Sequence, residues 1–171
     1  MNSECRWVVV VVIGLMMVTA CENDAGVSGS EVKKPAPLTA STLGDQIVLT
    51  IPEYLATGQF AMTDRRKGEQ QAQICKACHS FNEGGPNMIG PALFEMFGNA
   101  AGQQSDFEYS DAMLEANFVW TPRALNAWLA QPGRFLPGNI MSFGGVFMQS
   151  DRDNLIAYLL EATSNSDATE Q

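Results

Sequence analysis

A short cysteine–histidine motif places the strongest constraint on what this chain can fold into. Cys75, Cys78 and His79 form the pattern Cys-x-x-Cys-His, which is typical of c-type haem attachment. Two thiols so spaced on a helical turn can each reach one vinyl group of the same porphyrin, and the next imidazole can ligate the iron. The motif therefore predicts one covalent haem c, anchored by Cys75 and Cys78, with His79 as an axial ligand.

The same cysteine pair has two other interpretations. A structural zinc site needs four Cys or His ligands, but the chain has 4 Cys and 1 His in all, and Cys5 and Cys21 lie far upstream. A thioredoxin-like dithiol would lie between a strand and a helix of a βαβ unit, and no such pattern is evident. Haem attachment is favoured over the dithiol, and the dithiol over zinc.

The N-terminal segment indicates export. Arg6 is followed by an unbroken apolar run over residues 7–18, which is shorter than the about 20 residues of a transmembrane helix. Small residues before Cys21 resemble a bacterial lipoprotein box, so we expect Cys21 to carry lipid and to anchor the chain on the periplasmic side of a membrane. An uncleaved anchor helix over about 7–20, or a soluble cleaved form, are the alternatives. Export agrees with thioether-linked haem, which bacteria assemble outside the cytoplasmic membrane.

Composition divides the chain into four parts. These are a lipoprotein-type signal peptide (1–20), a lipidated tether with an N-terminal extension (21–62), a haem domain (63–163) and a polar tail (164–171). The tether is rich in Ser, Gly, Pro and charge. In the extension, Ile47 to Leu49 and Ile51 resemble a short strand, and Pro52 could begin a helical turn. Residues 45–60 either pack on the domain or form a disordered apolar spacer.

The haem domain has a helical pattern. The whole chain of 171 residues leaves room for one domain. The net charge of the chain, −9, argues against nucleic acid and anionic lipid surfaces as direct partners. Caps, Pro and Gly signals predict an all-α domain. The predicted helices run from a cap at Thr63 or Asp64 to about Cys75, over Ala92–Phe97, over Ser110–Asn117, from Thr121-Pro122 to Ala130, and over Asp151–Ala162 after a Ser150 cap.

The second axial ligand is not decided by the motif. His79 is the only histidine, so two histidines from one chain are excluded. A lysine, an open position or a methionine remain, and a soft thioether suits haem iron. Met141 lies in a Pro-Gly loop well after His79, where the chain could fold over the opposite haem face. Met62, Met88, Met96 and Met113 are the other candidates outside the signal segment.

Residues 64 to 162 resemble a class I cytochrome c, close to mitochondrial cytochrome c and its bacterial soluble relatives. Met141 follows His79 by 62 positions, as in the short form of that family. The motifs that carry the resemblance are Cys75-x-x-Cys78-His79, Gly90-Pro91-Ala92-Leu93, Phe107 to Ala112, Trp120, Leu136 to Met141, and Asp153 to Leu159. The resemblance implies the class I cytochrome c fold, in which helices wrap around one covalently attached haem.

The resemblance also implies roles for single residues. Met141 would be the sixth ligand, the Pro91 carbonyl would accept the free N–H of His79, Phe143 would pack on the methionine side, and Leu129 would line the pocket. Donors to a buried haem propionate would be Tyr109, Ser110, Trp120 and Asn139. Tyr158 and Leu155 of the last helix would cross the first helix near Gly68.

Three positions depart from the family pattern. Asn99 replaces an arginine near the propionates, Trp128 replaces a tyrosine that contacts the methionine sulfur, and Gln71 replaces an aromatic residue between the terminal helices. The lysines that ring the haem edge in mitochondrial relatives are also missing. Ile74, Ile140, Phe147 and Met148 stand at the aligned positions, with Arg134 and Lys76 as the remaining basic residues nearby, which predicts an apolar docking contact. The alternative is that these apolar residues turn inward or lie under residues 45–60.

The expected function is a membrane-tethered carrier of single electrons in a respiratory or photosynthetic chain. It would connect a quinol-oxidising complex with a terminal oxidase or reductase, act on no small-molecule substrate, and not be an enzyme. One alternative is a dedicated haem c subunit of a periplasmic dehydrogenase or oxidase. Another is a haem peroxidase or gas-binding protein with an open sixth position.

Overall fold

The computed structural model describes residues 36–165, and all regular secondary structure in this range is helical. An isolated antiparallel bridge between Ala100 and Val119 is its one extended pairing. The all-α class is therefore confirmed. In chain order, the elements are a 3₁₀ turn at Ala40–Thr42, α1 (Ile51–Ala56), α2 (Arg65–Lys76), α3 (Asp111–Leu114), α4 (Pro122–Ala130), α5 (Pro132–Phe135) and α6 (Gln149–Ala162).

Helices α2 and α4 begin where capping signals predict them. The Asp64 carboxylate accepts hydrogen bonds from the backbone N–H groups of Arg66 and Lys67, at 3.0 and 3.2 Å. Thr121 Oγ1 accepts from the Ala124 N–H at 3.2 Å, and Pro122 occupies the first turn of α4. Each cap satisfies backbone donors that have no partner within the helix.

The crossing of α2 and α6 at Gly68 is confirmed. A Cβ atom on Gly68 would lie 2.2 Å from the Asn154 carbonyl oxygen and 2.8 Å from Tyr158 Cβ, so only glycine permits this approach. The Asn154 side chain also accepts the Asp64 N–H at 2.8 Å. From the same helix, Leu155 and Leu159 enter the core and are almost fully buried. Helices α2 and α6 thus form the frame of the domain.

The helix predicted over Ala92–Phe97 is wrong. The backbone N–H groups of Leu93 and Glu95 donate to the distant carbonyls of Ser80 and Thr163, at 2.9 and 2.6 Å. Glu95 also has a φ of 54°, in the left-handed region that a helix does not use. Long-range bonds therefore replace the local ones that a helix would need.

The strand predicted around Ile47 to Ile51 is also wrong. Thr50 and Glu53 form a capping box, in which each side chain bonds the backbone N–H of the other, and Ile51 begins α1. Ile47 is 77 % exposed, so its apolar side chain does not mark a buried strand. The predicted turn at Pro52 is part of α1.

Smaller corrections concern helix bounds. The helix predicted over 110–117 is limited to α3, with Ser110 before its first residue. Pro132 starts the short helix α5, where the sequence predicted only a helix stop. Helix α6 starts at Gln149 after Met148, so Ser150 lies inside its first turn and is not the cap.

Of the two alternatives for the N-terminal extension, packing on the domain is confirmed and the disordered spacer is wrong. We call residues 38–62 the N-terminal strap. Leu43, Tyr54 and Phe60 of the strap are buried in the main core, at 2 %, 7 % and 3 % exposure. Leu38 packs against the same core, so the ordered part of the extension begins before residue 45. The predicted signal peptide, Cys21 and most of the tether lie outside the described residues, as do residues 166–171.

Among residues 36–165, no helix is long and apolar enough to cross a membrane. The apolar run over 7–18 is outside that range.

Candidate functional site

A cleft of about 510 Å³, lined mainly by apolar side chains, opens beside the end of α2. Its size is that of a pocket for a small organic cofactor. The structure brings all eleven residues that the sequence singled out for the cofactor to the walls of this one cleft: Cys75, Cys78, His79, Pro91, Tyr109, Ser110, Trp120, Leu129, Asn139, Met141 and Phe143.

The cysteine motif forms the C-terminal turn of α2 and the residues just after it. The backbone N–H groups of Cys78 and His79 both donate to the Cys75 carbonyl, at 3.0 and 2.9 Å. This turn places the side chains of Cys75 and Cys78 on the same side, because residues three apart in a helical turn are neighbours. The Gly90 N–H donates to the Cys78 carbonyl at 2.9 Å and so connects this turn with the loop that follows it.

The His79 ring is held in one orientation. Its Nδ1 lies 2.6 Å from the Pro91 carbonyl oxygen, so Nδ1–H donates and the Nε2 lone pair remains free to bind a metal. Burial lowers the pKa of His79, and the hydrogen bond to Pro91 opposes this shift only in part. The ring is therefore neutral near pH 7. A Cβ atom on Gly90 would lie 2.3 Å from His79 Cε1, so glycine is required beside the ring.

Cys75 and Cys78 form no disulfide, so both side chains could hold a haem. Each would do so through a thioether, formed by addition of its S–H across the C=C bond of one vinyl group with no leaving group. Burial raises the pKa of Cys75 to about 11, so this side chain stays protonated at neutral pH before attachment. Within residues 36–165, no three His, Cys, Asp or Glu side chains are arranged to hold a metal ion.

Three methionines line the cleft. Met113 is 7 % exposed, and Met96 and Met141 are partly buried against the same core. Met62 is 92 % exposed and is not part of the lining. The Met141 N–H donates to Asn139 Oδ1 at 3.0 Å, which fixes the backbone of the loop after α5. The cleft therefore reduces the methionine candidates for an axial ligand to three.

The polar residues predicted to meet a propionate also line the cleft. Ser110 Oγ is buried and has no hydrogen-bond partner among the described residues, as expected of a group that bonds to a ligand atom. Burial raises the pKa of Tyr109, which therefore stays protonated and able to donate at neutral pH. Asn139 differs, because its N–H₂ group donates to the carbonyls of Pro132 and Leu136, at 3.0 and 2.7 Å. Its donation to a propionate stays a prediction and would require one of these bonds to exchange.

Aromatic side chains build one wall of the cleft. Trp120 and Trp128 meet edge to face with ring centroids 5.5 Å apart, and Phe118 packs in the same way on Trp120 at 4.8 Å. Trp128 is 5 % exposed, so the larger ring that departs from the family pattern fits within the core. Asn99, the other departure in the cleft, donates its side-chain N–H₂ to the Glu95 carbonyl at 2.6 Å and contributes no positive charge.

These features fit a covalently held haem. The walls offer two thiols on one turn, an imidazole with a free Nε2, methionine sulfurs and a buried hydroxyl without a partner. The close approach of Gly90 to the imidazole is a further sign that this ring must keep one position.

The cleft also has lining residues that are not among the predicted site residues. Leu125 lies four positions before Leu129 on α4, and that spacing alone could have placed both on one face. Leu93 was part of a quoted motif but was assigned to a helix rather than to the lining. No sequence signal could have connected Gln46 of the strap with Val119, the neighbour of the lining residue Trp120, which lies 73 positions further along the chain.

Known proteins with similar sequences agree with this chemistry. No protein-family model matches the chain. Cytochrome c2 of Agrobacterium tumefaciens (strain II Chrys) is 41 % identical over 108 residues, which cover 61 % of this chain and 97 % of the relative. Cytochrome c of Kluyveromyces lactis is 35 % identical over 88 residues, or 52 % of this chain and 80 % of the relative. A cytochrome c homolog of Bradyrhizobium diazoefficiens is 43 % identical over 94 residues, or 54 % of this chain and 51 % of the relative.

Proposed function

Because this chain belongs to the class I cytochrome c family, with its all-α fold and one covalently bound haem c, we propose that it carries single electrons while tethered to the periplasmic side of a bacterial membrane. The observation that carries the proposal is the cleft that unites both attachment thiols, His79 with its free Nε2, and Met141. A haem held on both faces needs no substrate and is suited to electron transfer.

Bound haem supplies reversible one-electron exchange, and the protein sets how readily it occurs. Cys75 and Cys78 hold the ring, and His79 is oriented by the Pro91 carbonyl, which raises the basicity of the imidazole. We assign Met141 as the second axial ligand, since its loop is fixed by Asn139 and it follows His79 at the family spacing. Apolar walls keep water from the ring and so favour the reduced form.

The entrance of the cleft suggests how the carrier meets its partners. Ile74, Ile89 and Ile140 line the cleft and are also 61 %, 81 % and 68 % exposed. We call these three residues the apolar rim. The chain has a net charge of −9, so long-range attraction to acidic partners does not operate. The rim suits a small, short-lived contact of apolar character, with a quinol-oxidising complex as donor and a terminal oxidase or reductase as acceptor.

A lipid tether would make such a contact efficient. Cys21 is the proposed lipid site, and the chain between it and the strap would hold the domain within tens of ångströms of membrane complexes. Tethering of this kind gives an effective concentration on the order of mM, so charge steering is dispensable. Two or more acyl chains are needed for stable anchoring, as a mature lipoprotein N-terminus would provide.

Reconstitution tests this function. The purified holoprotein, added to vesicles with a quinol-oxidising complex and a terminal oxidase, should be reduced by quinol and reoxidised by oxygen over many cycles. Copurification from native membranes in mild detergent is the companion measurement. A stable, stoichiometric complex with one dehydrogenase or oxidase and no turnover with separate complexes would show a dedicated subunit instead.

A further inference from the structure

Gln46 of the N-terminal strap makes three hydrogen bonds to Val119 and Thr121, the two residues that flank Trp120 of the haem cleft. Gln46 Oε1 accepts from the Val119 N–H at 2.8 Å, and Gln46 Nε2 donates to the Val119 carbonyl at 2.7 Å. The same Nε2 donates to Thr121 Oγ1 at 2.9 Å. One side chain thus bonds both polar groups of a single residue and the cap of α4, from 73 and 75 positions away.

The residue between these two contacts is Trp120, which lines the cleft. Its N–H donates to the Asn99 carbonyl and its own carbonyl accepts from the Gly98 N–H, both at 2.9 Å. In an extended pair, alternate residues direct their backbone groups to opposite sides. Trp120 therefore bonds the 98–101 segment, whereas Val119 faces away from it and depends on another partner.

Gln46 is that partner. Its amide group bonds the N–H and C=O of Val119 on the side that faces away from the 98–101 segment, as a neighbouring strand would in a sheet. An extended segment with unpaired N–H and C=O groups is free to shift or to take up water. With Gln46 in place, the segment is bonded on both edges, and the Trp120 ring is held against Phe118 and Trp128. The Thr121 contact extends this restraint to the first turn of α4, the helix that contributes Leu125, Trp128 and Leu129 to the cleft.

The position of Gln46 itself is fixed by its neighbours on the strap. Leu43 before it is 2 % exposed, and Leu49 after it packs against the core. The Tyr54 hydroxyl, from α1, donates to the Ile47 carbonyl at 3.0 Å. The strap backbone is therefore held in place on both sides of Gln46. For this reason the Gln46 side-chain amide can restrain the position of the 118–121 segment.

We propose that Gln46 is a positioning residue for the haem: it fixes the Val119–Thr121 backbone and thereby the Trp120 wall of the cleft. Without it, the segment moves outward and water reaches this side of the haem. Water stabilises the oxidised form, which carries one more positive charge, so the reduction potential falls. The inference rests on the proposed use of the cleft by a haem electron carrier.

The test uses the full-length holoprotein with three substitutions. Gln46→Ala removes the side chain, and Gln46→Met keeps its length and apolar contacts but none of its hydrogen bonds. Gln59→Ala is the matched control, because Gln59 is also a strap glutamine with a long-range bond, to Asp153 Oδ1 at 2.8 Å, but that bond holds α6 rather than the cleft wall. Amide hydrogen exchange of the reduced protein and the reduction potential are measured for each.

Both Gln46 variants should exchange the Val119 amide about tenfold faster or more, as expected for the loss of one hydrogen bond, and both should have a lower potential. Gln59→Ala should leave both quantities unchanged. Three results would overturn the proposal: unchanged exchange at Val119, faster exchange with an unchanged potential, or wild-type behaviour of Gln46→Met, which would show that packing alone matters. If Gln46→Ala does not fold, Gln46→Met alone decides. These readouts do not involve electron partners, so a failure here is distinguishable from a failure of the proposed function.

Discussion

Replacing Gly90 by alanine would test how tightly the protein holds His79. The added Cβ would lie 2.3, 2.7 and 2.8 Å from His79 Cε1, Nδ1 and Nε2, so a methyl group would overlap the imidazole ring. Gly90 is not among the residues with positive φ, so alanine can adopt its backbone conformation. The effect of the substitution is therefore steric and acts on the ring.

The imidazole has little freedom to avoid this overlap. Its Nδ1 is bonded to the Pro91 carbonyl at 2.6 Å, and its other nitrogen would bind the iron in the proposed haem site. Overpacking of a tight site costs about 1–3 kcal/mol, and loss of the Pro91 bond adds about 1 kcal/mol. For a domain of this size a total of about 2–4 kcal/mol lowers the melting temperature by roughly 10 °C.

Thermal unfolding of the reduced holoprotein, followed by the haem absorbance, measures this change. Gly133→Ala is the matched control, since a Cβ atom there would have no neighbour within 4 Å and its φ is also not positive. It should unfold within a few degrees of the wild type. A Gly90→Ala protein that unfolds at the wild-type temperature and keeps its visible spectrum would show that the His79 ring is not confined by Gly90.

Three further predictions concern the frame, the docking contact and the anchor. Gly68→Ala should destabilise the domain by about 3 kcal/mol in chemical denaturation, because its Cβ would lie 2.2 Å from a backbone oxygen of α6; Gly58→Ala, with no neighbour within 4 Å, is the control, and equal stability of the two variants would contradict the close crossing. Ile140→Lys should slow electron transfer to the native partner, while the wild-type rate depends only weakly on ionic strength; a steep fall between low and physiological salt would indicate a charged docking face instead. Cys21→Ser should release the protein from membranes with an unchanged haem spectrum, and retention after a salt wash would favour the uncleaved-helix alternative.

Local signals predicted those parts of the fold that local interactions determine. Asp64 and Thr121 were expected to cap helices, and both do so through short-range bonds to backbone N–H groups. The last helix was placed within two residues of its observed start, and its buried leucines follow the helical period. The cysteine motif likewise fixes its own geometry within one turn.

Elements that depend on distant partners were not predicted correctly. The segment over 92–97 has helix-forming residues, but Glu95 donates its N–H to Thr163, almost seventy positions away. The Ile47–Leu49 segment has the composition of a strand, yet it has no neighbouring strand to pair with, and the capping box at Thr50 directs the chain into α1. The contact between Gln46 and Val119 also could not be predicted, because no sequence pattern near Gln46 indicates a hydrogen bond to a residue 73 positions away.

Optical spectroscopy of the oxidised holoprotein shows whether His79 and Met141 occupy the two axial positions of the haem, as proposed. The wild type should show the weak band near the red edge of the visible spectrum that is typical of methionine–iron ligation, and it should not bind added carbon monoxide when reduced. Met141→Leu keeps the side-chain volume and should lose the band, gain carbon monoxide binding and have a lower potential. Met113→Leu and Met96→Leu, at the other two methionines of the cleft, should retain the band. Loss of the band in either of these variants, or its absence from the wild type, would contradict the account.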